Sequence, residues 1–250
     1  GGLSNNYAIQ NYSGDFKEYN KFKFTKIENF SLHNPQPIFN SNGEIIFFDG
    51  KGTVFKLDKN LNLIWKTNLY TKKERKMRPI LNFALKSTNL VISDNLSNIY
   101  LLNSNSGKLI WKKKNNSPFN SQIKIFDNKI FLVDLNNTLK CMSLNNGSEI
   151  WQYKSETTLI KSLNKISLIT FKNKVVFLNS IGDLNALNTN SGNLLWQSPL
   201  INTSIYEDTL SVKFSEIVLD SDSIYVSNNN NEFFSINANT GAVKWRKKIN

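Results

Sequence analysis

The chain has 250 residues, a net charge of +12, one cysteine and one histidine. A chain of this length can bury a large core as one all-β domain, and its ordinary apolar content excludes wholesale disorder. No apolar run approaches the roughly 18 residues of a membrane-crossing helix, and a lone Cys141 excludes an internal disulfide framework or a cysteine metal cluster.

Residues 1–20 are rich in Gly, Asn and Ser and lack periodicity, so they read as a flexible lead-in. Lys21–Ile27 alternates polar and apolar residues, the pattern of a half-buried strand and a candidate closing strand for a ring. The division expected is residues 1–30 as an N-terminal segment and 31–250 as a repeat domain. Five repeats follow, each with four short apolar runs split by turn residues. The first has Gln36–Phe39, Glu44–Asp49, Thr53–Leu57 and Leu63–Leu69; the second Pro79–Leu85, Leu90–Ser93, Ile99–Leu102 and Lys108–Lys113. The third has Gln122–Phe126, Lys129–Val133, Thr138–Leu144 and Ser148–Tyr153; the fourth Lys165–Phe171, Val175–Asn179, Asp183–Leu187 and Leu194–Gln197. The fifth has Glu216–Leu219, Ser223–Ser227, Glu232–Ile236 and Ala242–Arg246. Thr71–Met77 carries so many charges that it reads as an exposed loop with at most one helical turn.

The end of each repeat carries one motif. Leu102-Asn103-Ser104-Asn105-Ser106-Gly107-Lys108-Leu109-Ile110-Trp111 returns as Leu187–Trp196 and Ile236–Trp245, as a shortened copy Leu144–Trp151, and as a glycine-less copy Leu57–Trp65. Trp65, Trp111, Trp151, Trp196 and Trp245 are all the tryptophans of the chain, spaced by 46, 40, 45 and 49 residues. Gly107, Gly147, Gly192 and Gly241 each stand four residues before a Trp. Asn and Gly make a tight turn, the Trp lies on the returning strand, and one Trp per unit suggests a ring packed at each unit junction. A period of roughly 40–50 residues with four strands is that of a β-propeller blade. The fold expected is therefore all-β, a β-propeller with about five four-stranded blades.

Many cations follow the repeat Trp directly, among them Lys66, Lys112–Lys114, Lys154 and Arg246–Lys248. On an outermost strand such charges block edge-to-edge aggregation, so nucleic acid is not the partner expected. His33 stands alone in a loop beside Pro35 and reads as structural, because one His makes neither a triad nor a zinc site. Asp127, Asp134, Asp183 and Asp220 sit where Asp caps turns, Gly50 and Gly52 fit a hairpin, and the acids do not group as a calcium loop. Neither a cofactor nor a metal ligand set is expected, and the chain reads as a non-enzyme.

At the Trp motif the sequence resembles the quinoprotein-like, or PQQ-like, repeat proteins with their tryptophan-docking pattern, and within them the BamB-type lipoproteins of the outer-membrane β-barrel assembly machinery. The opening blade is similar too, with Asn29–Pro35 followed by Phe48–Asp58. That family has eight blades, so the resemblance implies a ring truncated to five. It also implies a lipid anchor on an upstream cysteine outside this chain, and a periplasmic, outer-membrane-associated location. The implied function is a protein-binding scaffold whose partners are the barrel subunit of the machinery and unfolded β-barrel clients. The family's docking loops fall on Thr158–Lys161 and Tyr206–Leu210, which makes Leu159, Ile160, Lys161 and Asp208 the partner-binding candidates. The alternatives are a relative of the quinoprotein dehydrogenases, whose vicinal disulfide one Cys cannot form, and a secreted repeat protein with another partner.

Overall fold

The structure is a computed structural model that describes residues 4–6, 20–33, 35–156, 165–201 and 212–249. Their helices are two short ones, α1 (Phe30–His33) and α2 (Lys72–Lys76). The first sheet is β1 (Ile38–Phe39), β2 (Ile45–Phe48), β3 (Thr53–Leu57) and β4 (Leu63–Asn68), and the second is β5 (Leu81–Lys86), β6 (Asn89–Asp94), β7 (Asn98–Asn103) and β8 (Leu109–Lys114). The third comprises β9 (Lys124–Phe126), β10 (Lys129–Val133), β11 (Thr138–Ser143) and β12 (Glu149–Lys154). The fourth is β13 (Leu168–Phe171), β14 (Lys174–Leu178), β15 (Asp183–Asn188) and β16 (Leu194–Pro199). The fifth is β17 (Val218–Asp220), β18 (Ser223–Ser227), β19 (Glu232–Asn237) and β20 (Val243–Lys248). Within each sheet the strands are antiparallel and adjacent in chain order, which is the up-and-down meander of a propeller blade. The expected all-β propeller of four-stranded blades is thus the observed fold, and every expected blade strand is present.

The described residues form two compact units, residues 20–118 with the first two blades and residues 119–249, joined by 4–6, with the other three. In the second unit the middle strands bury both faces, as the near-continuous apolar run Val175-Val176-Phe177-Leu178 requires. Val175 and Phe177 join Phe131, Val133, Leu139 and Cys141 of the third blade in one core cluster. Val176 and Leu178 join Ile224, Val226, Phe234 and Ile236 of the fifth blade in the next. The core of the first unit is built the same way, from Ile46, Phe48 and Val54 against Phe83, Leu90, Ile92 and Tyr100.

Two stretches differ from their sequence reading. Lys21–Ile27 carries no strand: the segment lies outside every sheet, and its alternation serves packing. Phe22 meets Phe55 edge-on at 5.3 Å, Phe24 meets Phe47 at 5.5 Å, and Ile27 is buried. The charged stretch after β4 is a true helix, α2, because Thr71 and Glu74 close a capping box: the Glu74 amide donates to the Thr71 hydroxyl, and the Thr71 amide to the Glu74 carboxylate.

One further device recurs at the end of each second strand. Asp49, Asp94, Asp134, Asn179 and Asn228 each accept, through one side-chain oxygen, the amides two and four residues on. Asp94 is fully buried and also accepts from the Tyr70 hydroxyl at 2.8 Å and the Asn98 amide group at 2.9 Å. Asp94→Ala orphans all of these donors and is expected to cost about 2–3 kcal/mol. Urea unfolding compared with wild type checks it, and a loss below about 1 kcal/mol contradicts it.

Candidate functional site

The repeat motif builds the blade junctions. Asn103 accepts from the amides of Asn105 and Ser106, and the Gly107 amide donates back to the Asn103 carbonyl. Asn188 with Gly192 and Asn237 with Gly241 repeat this turn, each glycine holding a left-handed φ of 69–76°. The copy ending at Trp151 makes the same turn from Ser143, whose carbonyl accepts the Gly147 amide. It is therefore not shortened: Ser143 stands for Asn, and Leu144 fills the buried place of Ser104, Thr189 and Ala238. In the glycine-less copy Leu61 takes the left-handed position, at φ 64°.

Within each unit the tryptophan of one blade lies on the glycine turn of the next. A Cβ on Gly107 would stand 2.7 Å from the Trp65 ring, one on Gly192 2.7 Å from Trp151, and one on Gly241 2.6 Å from Trp196. Only a hydrogen at that position lets the ring settle. The Trp65 indole donates to the Ser104 carbonyl at 3.0 Å and the Trp151 indole to the Thr189 carbonyl at 3.2 Å. Hydroxyls two residues past the Trp reinforce two junctions, Thr67 donating to the Gly107 carbonyl and Ser198 to the Gly241 carbonyl. All five rings are half-buried rather than fully enclosed. Trp245 packs on Phe233 and Tyr225 of its own sheet.

Seating the ring has a consequence for the outer surface. In every blade the pairing of the third and fourth strands slips by one residue just before the Trp. The extra residue of this bulge is Ile64, Ile110, Ile150, Leu195 or Lys244. This residue and the one before it face solvent in each blade, which leaves Leu63–Ile64, Leu109–Ile110, Ile150, Leu194–Leu195 and Val243 exposed. The lysines after the Trp occupy the same outer strands, which end each sheet. Some are partly satisfied there: Lys112 sits 5.2 Å from the Tyr100 ring centroid, and Arg246 pairs with Glu232. The outer strands thus present an apolar half and a cationic half.

In the second unit the innermost strands meet at a polar lip that the sequence reading missed. Gln122 accepts from the Leu168 amide at 3.1 Å, and Ser167 accepts from the Ile217 amide at 3.0 Å, so one side chain pins each blade to the next. Asn6 reaches into this lip and donates to the carbonyls of Leu168 and Ile217 at 3.0 and 2.8 Å. The Ser4 and Asn5 carbonyls accept from Thr170 and Leu219, so these three residues of the expected flexible lead-in are fixed. Lys124, only 1% exposed, donates to the Asn6 side-chain oxygen. Burial pushes its ammonium down to about 7, with Glu216 opposing the shift. The available signal was the polar residue repeated just before an apolar one in the fourth and fifth blades, Ser167-Leu168 and Glu216-Ile217, matching Gln122-Ile123.

Leu159, Ile160, Lys161 and Asp208 lie outside the described residues, so the structure neither brings them together nor separates them. His33 is not in a loop but ends α1, where its amide donates to the Asn29 carbonyl at 3.1 Å. Cys141 is fully buried on β11, and burial pushes its thiol up to about 12, which leaves it unreactive. Asp134 caps a turn as expected, Asp127 pairs with Lys129 at 3.5 Å, and Asp183 accepts from Gln197 at 3.0 Å. Among the described residues no three His, Cys, Asp or Glu side chains group as a metal site, and no helix is long and apolar enough to cross a membrane.

Comparison with solved structures gives the same architecture. BamB from Moraxella catarrhalis superposes with a TM-score of 0.72 at 15% identity, covering 87% of this chain and 65% of that one. A computationally designed protein, Ika8, gives 0.69 at 10% identity over 85% of this chain and 61% of its own. The quinohemoprotein alcohol dehydrogenase ADHIIG from Pseudomonas putida HK5 gives 0.68 at 12% identity over 85% and 41%. The chain spans less than two thirds of the length of these structures. At such identities the likeness is one of fold. No curated protein matches the sequence. The family described as outer membrane protein assembly factor BamB matches residues 34–250, which contain all five blades, and the chain belongs to that family.

Proposed function

We propose that the chain is a non-enzymatic protein-binding scaffold of the outer-membrane β-barrel assembly machinery, working in the periplasm against the outer membrane. The family match over residues 34–250 is the observation that carries this reading. The outer strands support it, because each sheet ends in a strand with exposed branched apolar residues, a surface suited to an extended client. Lysines along the same strands keep like sheets from pairing with one another. The machinery's barrel subunit docks on the stretches 158–161 and 206–210, where Leu159 and Ile160 supply an apolar anchor and Lys161 and Asp208 supply charges at its rim. The dehydrogenases share the fold, but their paired vicinal cysteines have no counterpart in a chain whose one cysteine is Cys141.

The test is a pull-down of the barrel subunit's periplasmic domain with Leu159→Ala, Ile160→Ala and Lys161→Glu. Each change is expected to weaken binding about tenfold or more at an unchanged melting temperature. Binding that survives all three removes the docking assignment.

A further inference from the structure

The first unit holds a cleft of about 760 Å³ whose charges the scaffold reading leaves unused. Lys26, Lys51, Lys72, Arg75, Lys76 and Arg78 line it, against one lining carboxylate, Glu28, which already pairs with Arg78. Three local features force these cations together. Gly50 lies so close to the N-terminal segment that a Cβ would stand 1.9 Å from the Lys26 carbonyl oxygen, and its amide donates to the Thr25 carbonyl at 2.9 Å. This close approach sets Lys26 beside Lys51. The capped α2 then presents Lys72, Arg75 and Lys76 at spacings of three and four, on one helix face. Glu74, the one acid of α2, is turned back onto Thr71 by the capping box. That bond, with Lys112 and Lys114 nearby, holds its carboxyl below the usual range. Arg78 completes the cluster from a left-handed backbone position, φ 55°.

Clustered like charges repel, so the concentration of cations at one concave site calls for an anionic occupant. Exposed apolar residues flank these cations in the chain: Phe24 (44% exposed) and Phe30 (50%) line a separate apolar groove of the same unit with Phe22 and Phe39, and Met77 is 57% exposed. Met77 stands between Lys76 and Arg78 in the chain, so an exposed apolar residue separates two cations. Cations interleaved with apolar side chains match a phospholipid interface, where phosphates meet the charges and the acyl boundary takes the apolar groups. We infer that this cleft and helix α2 form a docking surface for an anionic phospholipid membrane, independent of the protein-binding reading.

Flotation with vesicles of phosphatidylcholine alone and of phosphatidylcholine mixed with phosphatidylglycerol tests this. The full chain is expected to float only with the phosphatidylglycerol vesicles, and added salt should release it. A cation near an anionic surface contributes about fivefold in partitioning, so Lys72→Glu, Arg75→Glu and Lys76→Glu together should weaken it by well over about tenfold. Lys244→Glu, Lys247→Glu and Lys248→Glu on β20 change the net charge equally and should have a much smaller effect. Lys26→Gln with Lys51→Gln should weaken binding without touching α2, and Met77→Ser should weaken vesicle binding while leaving the affinity for soluble tripolyphosphate unchanged. Equal losses in the α2 and β20 variants, no flotation with phosphatidylglycerol, or stronger binding to duplex RNA than to those vesicles each overturn the assignment.

Discussion

Trp151→Ala is expected to destabilise the second unit by about 3 kcal/mol, toward the lower end of large aromatic deletions because the ring is half-buried. The ring closes the junction between the third and fourth blades by lying on the Gly192 turn, and its indole satisfies the Thr189 carbonyl at 3.2 Å. It also packs 5.8 Å from the Phe131 ring centroid. Gly192→Ala attacks the junction from the other side. The added Cβ would sit 2.7 Å from the ring, and alanine at φ 74° adds about 1 kcal/mol of backbone strain. The two changes should be strongly non-additive, because once the indole is gone only the backbone strain of Gly192→Ala remains. Trp245→Ala should cost less, since the described neighbours of that ring, Phe233 and Tyr225, belong to its own sheet. Urea unfolding of the single and double variants measures all three. Additive losses would show that the ring and the turn act separately.

The blades were legible in the sequence because two local rules coincide there. A positive-φ glycine and an aromatic four residues later are both visible in the chain, the glycine turn receiving the ring of the preceding blade and the aromatic lying on the turn of the following one, as Gly192 receives Trp151 and Trp196 lies on Gly241. The strands follow from alternation and turn chemistry for the same reason: each is set by neighbours a few residues away. Reading failed where the decisive partner is distant or where one residue substitutes for another. The copy ending at Trp151 looked short because Leu144 resembles the apolar residue that opens the other copies, yet it occupies the buried place of Ser104. Helix α2 looked like loop because its capping box offsets a charged surface that buries nothing. Likewise Asn6 looked like lead-in, because its partners at Leu168 and Ile217 lie far along the chain. The cationic cleft was hidden for that reason too: Lys26 and Lys51 belong together only through the tight approach at Gly50.

Lys124 should give the second unit an unusual dependence of stability on pH. Its ammonium is held at about 7 in the folded chain, against 10.5 in an unfolded one, chiefly because burial removes its hydration. Glu216 pulls the other way and Lys165, itself lowered by burial, adds repulsion. Between those two values the unfolded chain holds a proton that the folded chain has released, so this amine contributes a rise in stability as the pH climbs from about 7 toward 10.5. Toward the top of that window two effects oppose it: the buried Cys141 thiol, pushed up to about 12 from its ordinary 9, ionises first in the unfolded chain from about pH 9, and the tyrosines follow. Burial raises the Tyr70, Tyr100 and Tyr153 hydroxyls, so tyrosines ionise in the unfolded chain first and stability falls above about pH 10. The expected profile is therefore a maximum on the alkaline side of neutrality. Lys124→Met removes the buried amine, keeps most of its volume, and should flatten the rise between pH 7 and 9. At neutral pH the gain is bounded by about 4–5 kcal/mol for the shift, and the lost hydrogen bond to Asn6 takes back about 1 kcal/mol. Chemical denaturation at a series of pH values, with wild type and variant side by side, reads both slopes. A wild-type stability that is level from pH 7 to 9 would mean that the amine stays charged and well satisfied at the lip. A variant that keeps the wild-type rise would assign it to Lys165 instead.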